Sequence, residues 1–80
     1  MNQEQVLARL APIFHEVLDN ENIVLSRELT AEDVEEWHSL SHIRLIVAVE
    51  QAFGVNFKST EISDLENVGD MADLILEKLA

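Results

Sequence analysis

Apolar residues near the N-terminus recur three and four positions apart, the spacing that places side chains on one face of an α-helix. The pattern predicts a first helix from Gln3 to Leu18, with apolar residues at Val6, Leu7, Leu10, Ile13, Phe14, Val17 and Leu18. Pro12 falls inside this helix, where it lacks an amide donor and crowds the preceding turn. We therefore expect a kink or a displaced helix start.

Residues 19–38 show no sustained period, so they predict a long ordered loop. Within it, Asp33 follows Thr30 at the spacing that can cap one short helical turn. A loop of about 20 residues is unusual in a compact domain, so we expect this one to be functional or well anchored. Trp37, near its end, is expected to pack on the helices and hold the loop in place.

The segment from Ser39 to Phe53 is the clearest predicted helix, because it runs for fifteen residues without glycine or proline. We expect Ser39 to be its N-cap and Gly54 to end it. Its apolar residues cover more than half of the helix circumference and predict a largely embedded helix; they are Leu40, Ile43, Leu45, Ile46, Val47, Val49 and Phe53. The residues opposite them form an expected exposed strip of Ser41, Arg44, Ala48, Gln51 and Ala52.

Glu50 lies within the apolar arc of this second helix, where an unpaired carboxylate is costly. We expect it to accept a hydrogen bond from the backbone or to lie at the rim. Further along, a brief turn is predicted from Ile62 to Leu65 with Ser59 or Thr60 as its cap. Asn67, together with Asp70, is predicted to cap a last helix whose apolar face is Met71, Leu74, Ile75 and Leu79.

Together these elements predict an all-α fold, a small four-helix bundle with three main helices, one short helix and a long loop between the first two. Eighty residues allow one domain, over residues 1–80, and no large enzyme fold. The chain has no cysteine, which excludes a disulfide framework, a thiolate nucleophile and a cysteine zinc site. Its polar N-terminus and the lack of any apolar run near ~18 residues predict a cytoplasmic protein without membrane insertion.

Charge narrows the choice of partners. The chain has 16 acidic residues against 5 Lys and Arg, for a net charge of −11. Such a field repels nucleic acid and anionic lipid surfaces, and it attracts proteins that carry basic patches. We therefore expect protein partners, no nucleic acid and a monomeric chain.

Two kinds of catalytic or metal site have only weak support in the sequence. His38 and His42 are four residues apart, with Glu35 or Glu36 nearby, but no third strong metal ligand is fixed by spacing. A hydrolase with Ser39 as nucleophile and His38 or His42 as base lacks a glycine-rich elbow and an evident oxyanion hole. A helix N-cap explains Ser39 without any chemistry.

The order of motifs along the chain indicates a function more strongly than any single residue does. An acidic loop leads to Ser39-Leu40 at the start of a helix, and Glu50 is followed three residues later by Phe53 near its end. This arrangement resembles the acyl carrier protein family, in which a serine in an Asp-Ser-Leu motif opens the second helix and bears phosphopantetheine. The likeness covers residues 29–79, while the first helix agrees in pattern only.

The resemblance implies that Ser39 receives 4'-phosphopantetheine from coenzyme A through a phosphopantetheinyl transferase. The chain would then be a carrier and no enzyme, holding acyl or aminoacyl groups as thioesters for fatty acid or polyketide biosynthesis or a related pathway. Its partners would be acyl-activating, synthase or acyltransferase enzymes with basic docking patches. The residues expected to recognise them are Glu32, Asp33, Glu35, Glu36, Leu40, Ser41 and Arg44.

Three positions depart from the family pattern. His38 stands where the family has Asp, Ser41 stands where an acidic residue is common, and Arg44 adds a positive charge. These changes indicate an adapted transferase or poor modification, and a specialised pathway. Two alternatives stay open: an unmodified acidic interaction module, and, within the carrier hypothesis, an apolar arc that forms core only or core plus a sleeve for an acyl chain.

Overall fold

Four α-helices follow one another in a computed structural model that describes residues 1–80. They are α1 (Gln3–Val17), α2 (Ser39–Phe53), α3 (Ser59–Ser63) and α4 (Val68–Leu79). A single 3₁₀ turn, Ala31–Asp33, lies in the long loop between α1 and α2. The predicted all-α, four-helix fold is confirmed, including the long first loop and the short third helix.

Helix α1 is the centre of the bundle, because it packs against both α2 and α4. Its residues Val6, Leu10 and Phe14 have no exposed surface and repeat every four positions along one face. They meet fully buried side chains from the other two long helices: Leu45, Val49, Val68, Met71, Ala72 and Ile75. Each large apolar side chain buried in this way contributes about 1.5–3 kcal/mol relative to exposure.

A reciprocal capping box begins α1. The Asn2 carboxamide oxygen accepts from the Gln5 amide, and the Gln5 side-chain oxygen accepts from the Asn2 amide, both at 2.9 Å. The helix starts at Gln3 as predicted and ends at Val17, one residue before the predicted end. The displaced start considered for Pro12 is wrong, since Pro12 lies within the helix on an exposed position where water can hydrate the carbonyl it leaves free.

The long loop is anchored to the bundle through its backbone. The Ile23 carbonyl is 2.7 Å from Nε2 of His15, and the Leu29 carbonyl accepts from the Val68 amide at 2.9 Å. The predicted turn is also present, since a carboxylate oxygen of Asp33 accepts from the Thr30 amide at 3.0 Å. The loop is therefore ordered by specific contacts, as its length suggested.

Helix α2 ends as predicted, at Gly54 with a φ of +67°. The Val55 amide donates to the Glu50 carbonyl at 3.1 Å, and the Phe57 amide donates to the Glu50 carboxylate at 2.8 Å. The expected backbone hydrogen bond of Glu50 is thus confirmed. By satisfying the Phe57 amide, this carboxylate holds the short connection that buries the apolar side chains of Val55 and Phe57.

The third helix corrects the predicted turn at Ile62–Leu65. It begins earlier, at Ser59, and its N-cap is Lys58 rather than Ser59 or Thr60. The reason is Glu61, whose carboxylate accepts from the Lys58 amide at 2.8 Å and also pairs with Lys78 of α4 at 2.9 Å. These contacts lower the pKa of Glu61, with the Lys58 hydrogen bond as the largest cause.

The cap of α4 agrees with the prediction. The Asn67 side-chain oxygen accepts from the Asp70 amide at 2.8 Å. Met71 and Ile75 are fully buried and Leu74 is half-buried, but Leu79 is exposed at the last turn, contrary to its expected place on the buried face. Leu79 is the last residue of α4.

Candidate functional site

The start of α2 differs from the prediction by one residue. His38, with an extended backbone, is the N-cap, and Ser39 is the first helical residue, so the expected capping role of Ser39 is wrong. Ser41 does that work instead: its hydroxyl accepts from the His38 amide at 2.8 Å and donates to the Glu36 carbonyl at 2.7 Å. In a capping box the side chain three residues after the N-cap accepts from the N-cap amide, and here that side chain is Ser41.

The same hydrogen bonds correct the expected position of Ser41. Its side chain was predicted on the exposed strip and among the residues that recognise partners, but only 7% of Ser41 is exposed. A hydroxyl that is bonded to the backbone of the preceding loop is turned inward. Ser41 therefore joins the loop to α2 and offers little surface to another protein.

Ser39, in contrast, is exposed, and the hydrogen bonds of the helix start leave its hydroxyl free. The first i to i−4 bond of α2 runs from the His42 amide to the His38 carbonyl, at 2.8 Å. The amides of Ser39, Leu40 and Ser41 precede it, and such leading amides, with the helix dipole, favour an anion. No acidic residue lies in the first turn of α2. A phosphate ester on Ser39 would thus meet amide donors and no carboxylate of that turn.

A shallow depression of about 240 Å³ adjoins Ser39. Residues from three separated segments surround it: the 3₁₀ turn, the start of α2 and the connection between α3 and α4. Its lining consists of Ala31, Trp37, His38, Ser39, His42, Leu65 and Glu66. The exposed hydroxyl therefore stands at the edge of a surface that is part apolar and part polar.

Trp37 forms the wall of this depression and confirms its expected packing role. Its ring is buried and meets Phe14 edge-on, with ring centroids 5.2 Å apart. The indole Nε1–H donates to Nδ1 of His42 at 3.0 Å, and the two rings are roughly stacked at 6.1 Å. Burial lowers the pKa of His42 from its ordinary value. The Trp37–His42 pair thus links the loop before Ser39 to the first turns of α2.

Of the four acidic loop residues predicted to recognise partners, two also have structural contacts. The Glu36 carboxylate accepts from the Asn20 side chain at 3.2 and 3.3 Å, and Asp33 holds the turn at Thr30. Glu32 and Glu35 are exposed, and no hydrogen bond or ion pair to another side chain restrains them. These two carboxylates are the loop charges most available to another protein.

The prediction that α2 is largely embedded is wrong for three of its apolar residues. Leu40 is 74% exposed, Ile43 62% and Val47 47%, and all three lie on one face at spacings of three and four. Arg44, exposed as predicted, lies beside them. We call Leu40, Ile43, Arg44 and Val47 the α2 surface. Ile43 and Val47 were missed as surface residues, although their spacing with Leu40 was visible in the sequence.

The geometry gives no support to the two catalytic or metal alternatives. No group of three or more His, Cys, Asp or Glu side chains is placed to hold a metal ion. Nδ1 of His42 is taken by Trp37, and no hydrogen bond joins Ser39 to His38 or His42. None of the helices has the length and apolar character needed to cross a membrane.

Comparisons with known proteins point to one family. A family model described as a phosphopantetheine attachment site matches residues 8–75. The acyl carrier protein of Acidothermus cellulolyticus is 33% identical over 75 residues, covering 94% of this chain and 89% of the relative. That of Thermosynechococcus vestitus is 35% identical over 82 residues, covering 100% of this chain and 99% of the relative.

A solved structure shows the same fold. The solution NMR structure of the holo acyl carrier protein from Geobacter metallireducens matches with a TM-score of 0.88 and 47% sequence identity, over 92% of this chain and 85% of that one. The family match spans α2 and its preceding loop together with most of α1 and α4. Sequence, fold and the matched relatives thus agree, and the chain belongs to the acyl carrier protein family.

Proposed function

We propose that Ser39 is the attachment residue for 4'-phosphopantetheine and that the protein carries acyl or aminoacyl groups on it as thioesters. One observation carries the proposal: Ser39 has an exposed, unbonded hydroxyl at the first residue of α2, within the matched residues 8–75. The neighbouring Ser41 has neither property, because it is buried and hydrogen-bonded. The two serines therefore have different tasks.

The residues around Ser39 fit a phosphodiester. The free amides that begin α2 can donate to its oxygens, and the helix dipole favours its negative charge there. In the attachment reaction, Oγ of Ser39 forms a bond to phosphorus of coenzyme A while the bond to the adenosine bisphosphate leaving group breaks. The hydroxyl proton passes to a base on the transferase, because no side chain of this protein is hydrogen-bonded to that hydroxyl.

Thioester chemistry requires a thiol, and this chain has no cysteine. The bound phosphopantetheine supplies that thiol. The protein's own contribution is to hold the attachment residue on a rigid helix start and to present a surface to successive enzymes. It is a carrier and not a catalyst, in line with the family to which it belongs.

Partner recognition is assigned to the α2 surface together with Glu32 and Glu35. Leu40, Ile43 and Val47 offer apolar contact that is exposed in the free protein. The loop carboxylates, in a chain of net charge −11, steer enzymes with basic patches toward it. A small apolar patch with acidic flanks suits transient contacts, which a carrier visiting several enzymes needs.

The departures from the family pattern support a specialised biosynthetic pathway. His38 precedes Ser39 without a carboxylate, and Arg44 adds a positive charge to a surface that basic enzymes approach. A phosphopantetheinyl transferase that modifies this chain must accept both features. Ser41 adds no negative charge there, because a serine hydroxyl is neutral, and this one is bonded to the loop backbone.

Intact-protein mass spectrometry tests the attachment. The protein is incubated with coenzyme A and a broad-specificity phosphopantetheinyl transferase, and one phosphopantetheine is expected to be gained. Ser39→Ala should abolish the gain. Ser59→Ala is the matched control, since Ser59 is an exposed serine at the first residue of another helix, and it should leave the gain intact. A folded protein that several transferases leave unmodified would refute the proposal and favour the unmodified interaction module.

A further inference from the structure

The hydrogen bond between Trp37 and His42 fixes where the imidazole carries its proton. An indole N–H is a donor only, so Nδ1 of His42, 3.0 Å away, must be the acceptor. A neutral imidazole has one N–H and one acceptor nitrogen, and the proton therefore lies on Nε2. The lowered pKa of His42, caused by burial, favours this neutral form near pH 7.

The Nε2–H donor of His42 has no partner within the chain. Every buried side-chain nitrogen and oxygen has a hydrogen-bond partner, and none of the intramolecular hydrogen bonds involves this nitrogen. Nε2 is thus open to solvent, in a residue that lines the depression beside Ser39. A donor of fixed tautomer therefore belongs to a residue that lines the same depression as Ser39.

The size of the depression selects what it can receive. Its volume of about 240 Å³ is below the roughly 300–1,000 Å³ of pockets that enclose a whole small molecule. Only a part of the phosphopantetheine arm fits, and the tether at Ser39 makes it the part that follows the phosphate. That part, the pantoyl segment, has two methyl groups, a hydroxyl and an amide carbonyl.

The lining matches this segment better than it matches the phosphate. Ala31, Trp37 and Leu65 provide apolar surface for the two methyl groups. Glu66 lies on the same rim, and its carboxylate repels a phosphate, which keeps the phosphodiester at the amides of α2. The one donor of fixed position, Nε2–H of His42, suits a neutral carbonyl oxygen.

We propose that His42, held in its Nε2–H tautomer by Trp37, donates a hydrogen bond to the pantoyl carbonyl of the arm and so docks the arm reversibly beside α2. This inference rests on the proposed attachment at Ser39. A single net hydrogen bond changes the ratio of docked to free arm by about fivefold. The arm is therefore held between encounters and is released readily to an enzyme.

NMR of the holo protein with ¹⁵N-labelled histidine tests this proposal. The His42 ring is expected to show the Nε2–H tautomer in both apo and holo forms, with an Nε2 shift on modification and nuclear Overhauser contacts to the pantoyl methyls. His15 is the internal control, because its Nε2 contacts the Ile23 carbonyl and it is not among the residues that line the depression. Its signals should not change.

Two variants separate the donor from the packing. His42→Leu, once mass spectrometry has shown that it is still modified, should lower the ratio of docked to free arm about fivefold. His42→Gln retains an acceptor for Trp37 and a donor for the arm, and should recover most of that loss. If His42→Leu fails to fold, the proposal is still tested by the nuclear Overhauser contacts of the wild type and by the docked fraction of His42→Gln.

The outcomes distinguish this inference from the proposed function. A mass gain with unchanged His42 signals, and with pantoyl methyl shifts equal to those of free coenzyme A, overturns the docking role and leaves the carrier function standing. Equal docked fractions in His42→Leu and wild type do the same. No mass gain at Ser39 in the wild type overturns both.

Discussion

The amide of Gly69 donates to the carbonyl of Arg27 at 2.9 Å, so the first turn of α4 lies directly against the backbone of the long loop. The approach is so close that a side chain at Gly69 would require the loop to move by a few tenths of an ångström. A Cβ added at Gly69 would lie 3.0 Å from that carbonyl oxygen and 3.1 Å from two side-chain carbons of Arg27. Arg27 is itself held by Asp73 of α4, at 3.0 Å.

Gly69→Ala should therefore destabilise the protein, by about 1–3 kcal/mol, because the loop must shift to admit the methyl group. An unobstructed glycine in a helix would respond in the opposite direction, gaining about 1 kcal/mol from the higher helix propensity of alanine. Urea denaturation measures whether the free energy of unfolding falls or rises in the variant. A gain in the free energy of unfolding would show that the loop is not held at Arg27 as the structure has it.

The Glu50 carboxylate predicts a second stability effect. Glu50→Ala leaves the Phe57 amide without its acceptor and should cost about 1–3 kcal/mol. Glu50→Gln keeps an oxygen at the same position and should cost less than half as much. Both are measured as free energies of unfolding, and equal losses in the two variants would show that the charge, not the hydrogen bond, is what matters.

The hydrogen bond of Glu50 could be predicted from the sequence, because a carboxylate within an apolar arc is destabilising unless it has a hydrogen-bond donor or reaches solvent. The caps at Thr30 and Asn67 could also be predicted, because short polar side chains at this spacing form hydrogen bonds with nearby backbone groups. These predictions needed only a few neighbouring residues. Most of the helix order followed from the same local rules.

Features that depend on residues far apart in the chain could not be predicted from the sequence. A wide apolar arc on α2 does not show which part α1 covers, so the exposure of Ile43 and Val47 was missed. Ser39 and Ser41 are both suited to capping, and a shift of one residue in the helix start exchanged their roles. The depression beside Ser39 combines residues as far apart as Ala31 and Leu65, which no local pattern brings together.

We expect Ser41 to matter for stability and Ser39 to matter for modification. Ser41→Ala removes the hydrogen bonds to the His38 amide and the Glu36 carbonyl, and should cost about 0.5–2 kcal/mol while leaving modification possible. Ser39→Ala should change stability by less than ~0.5 kcal/mol and abolish modification. Urea denaturation and intact mass, measured on both variants, check this; a reversal of the two patterns would contradict the assigned roles.

His42 predicts a pH dependence of stability. Its pKa is lowered by burial from the ordinary 6.5, so the unfolded chain binds the extra proton more readily than the folded one. Stability from this group is complete above pH 6.5 and is lost as the pH falls toward the folded pKa. Protonation also gives Nδ1 a proton, which removes the acceptor that Trp37 needs.

The measurement is the free energy of unfolding at pH 7.5 and 5.5, for wild type and His42→Gln. Every other titratable group is present in both proteins, so the comparison isolates the contribution of His42. The wild type should therefore lose stability relative to the variant as the pH falls. An identical pH dependence in the two proteins would contradict the burial of a neutral His42.

The α2 surface predicts a loss of function without a loss of stability. Ile43 is 62% exposed, so Ile43→Ala removes little from the core and should change the free energy of unfolding by less than ~0.5 kcal/mol. If partners bury this side chain, its truncation costs more than ~1 kcal/mol of binding, and kcat/KM for phosphopantetheinyl transfer should fall about five- to tenfold.

Val24→Ala is the matched control for that experiment. Val24 is an apolar residue that is 81% exposed, but it lies on the long loop and outside the α2 surface. Its truncation should leave transfer unchanged, whereas raised salt should slow transfer to both variants and wild type alike, because the steering charges are intact. Equal effects of the Val24 and Ile43 truncations would mean that exposed apolar area in general, rather than the α2 face beside Ser39, governs encounter with the transferase.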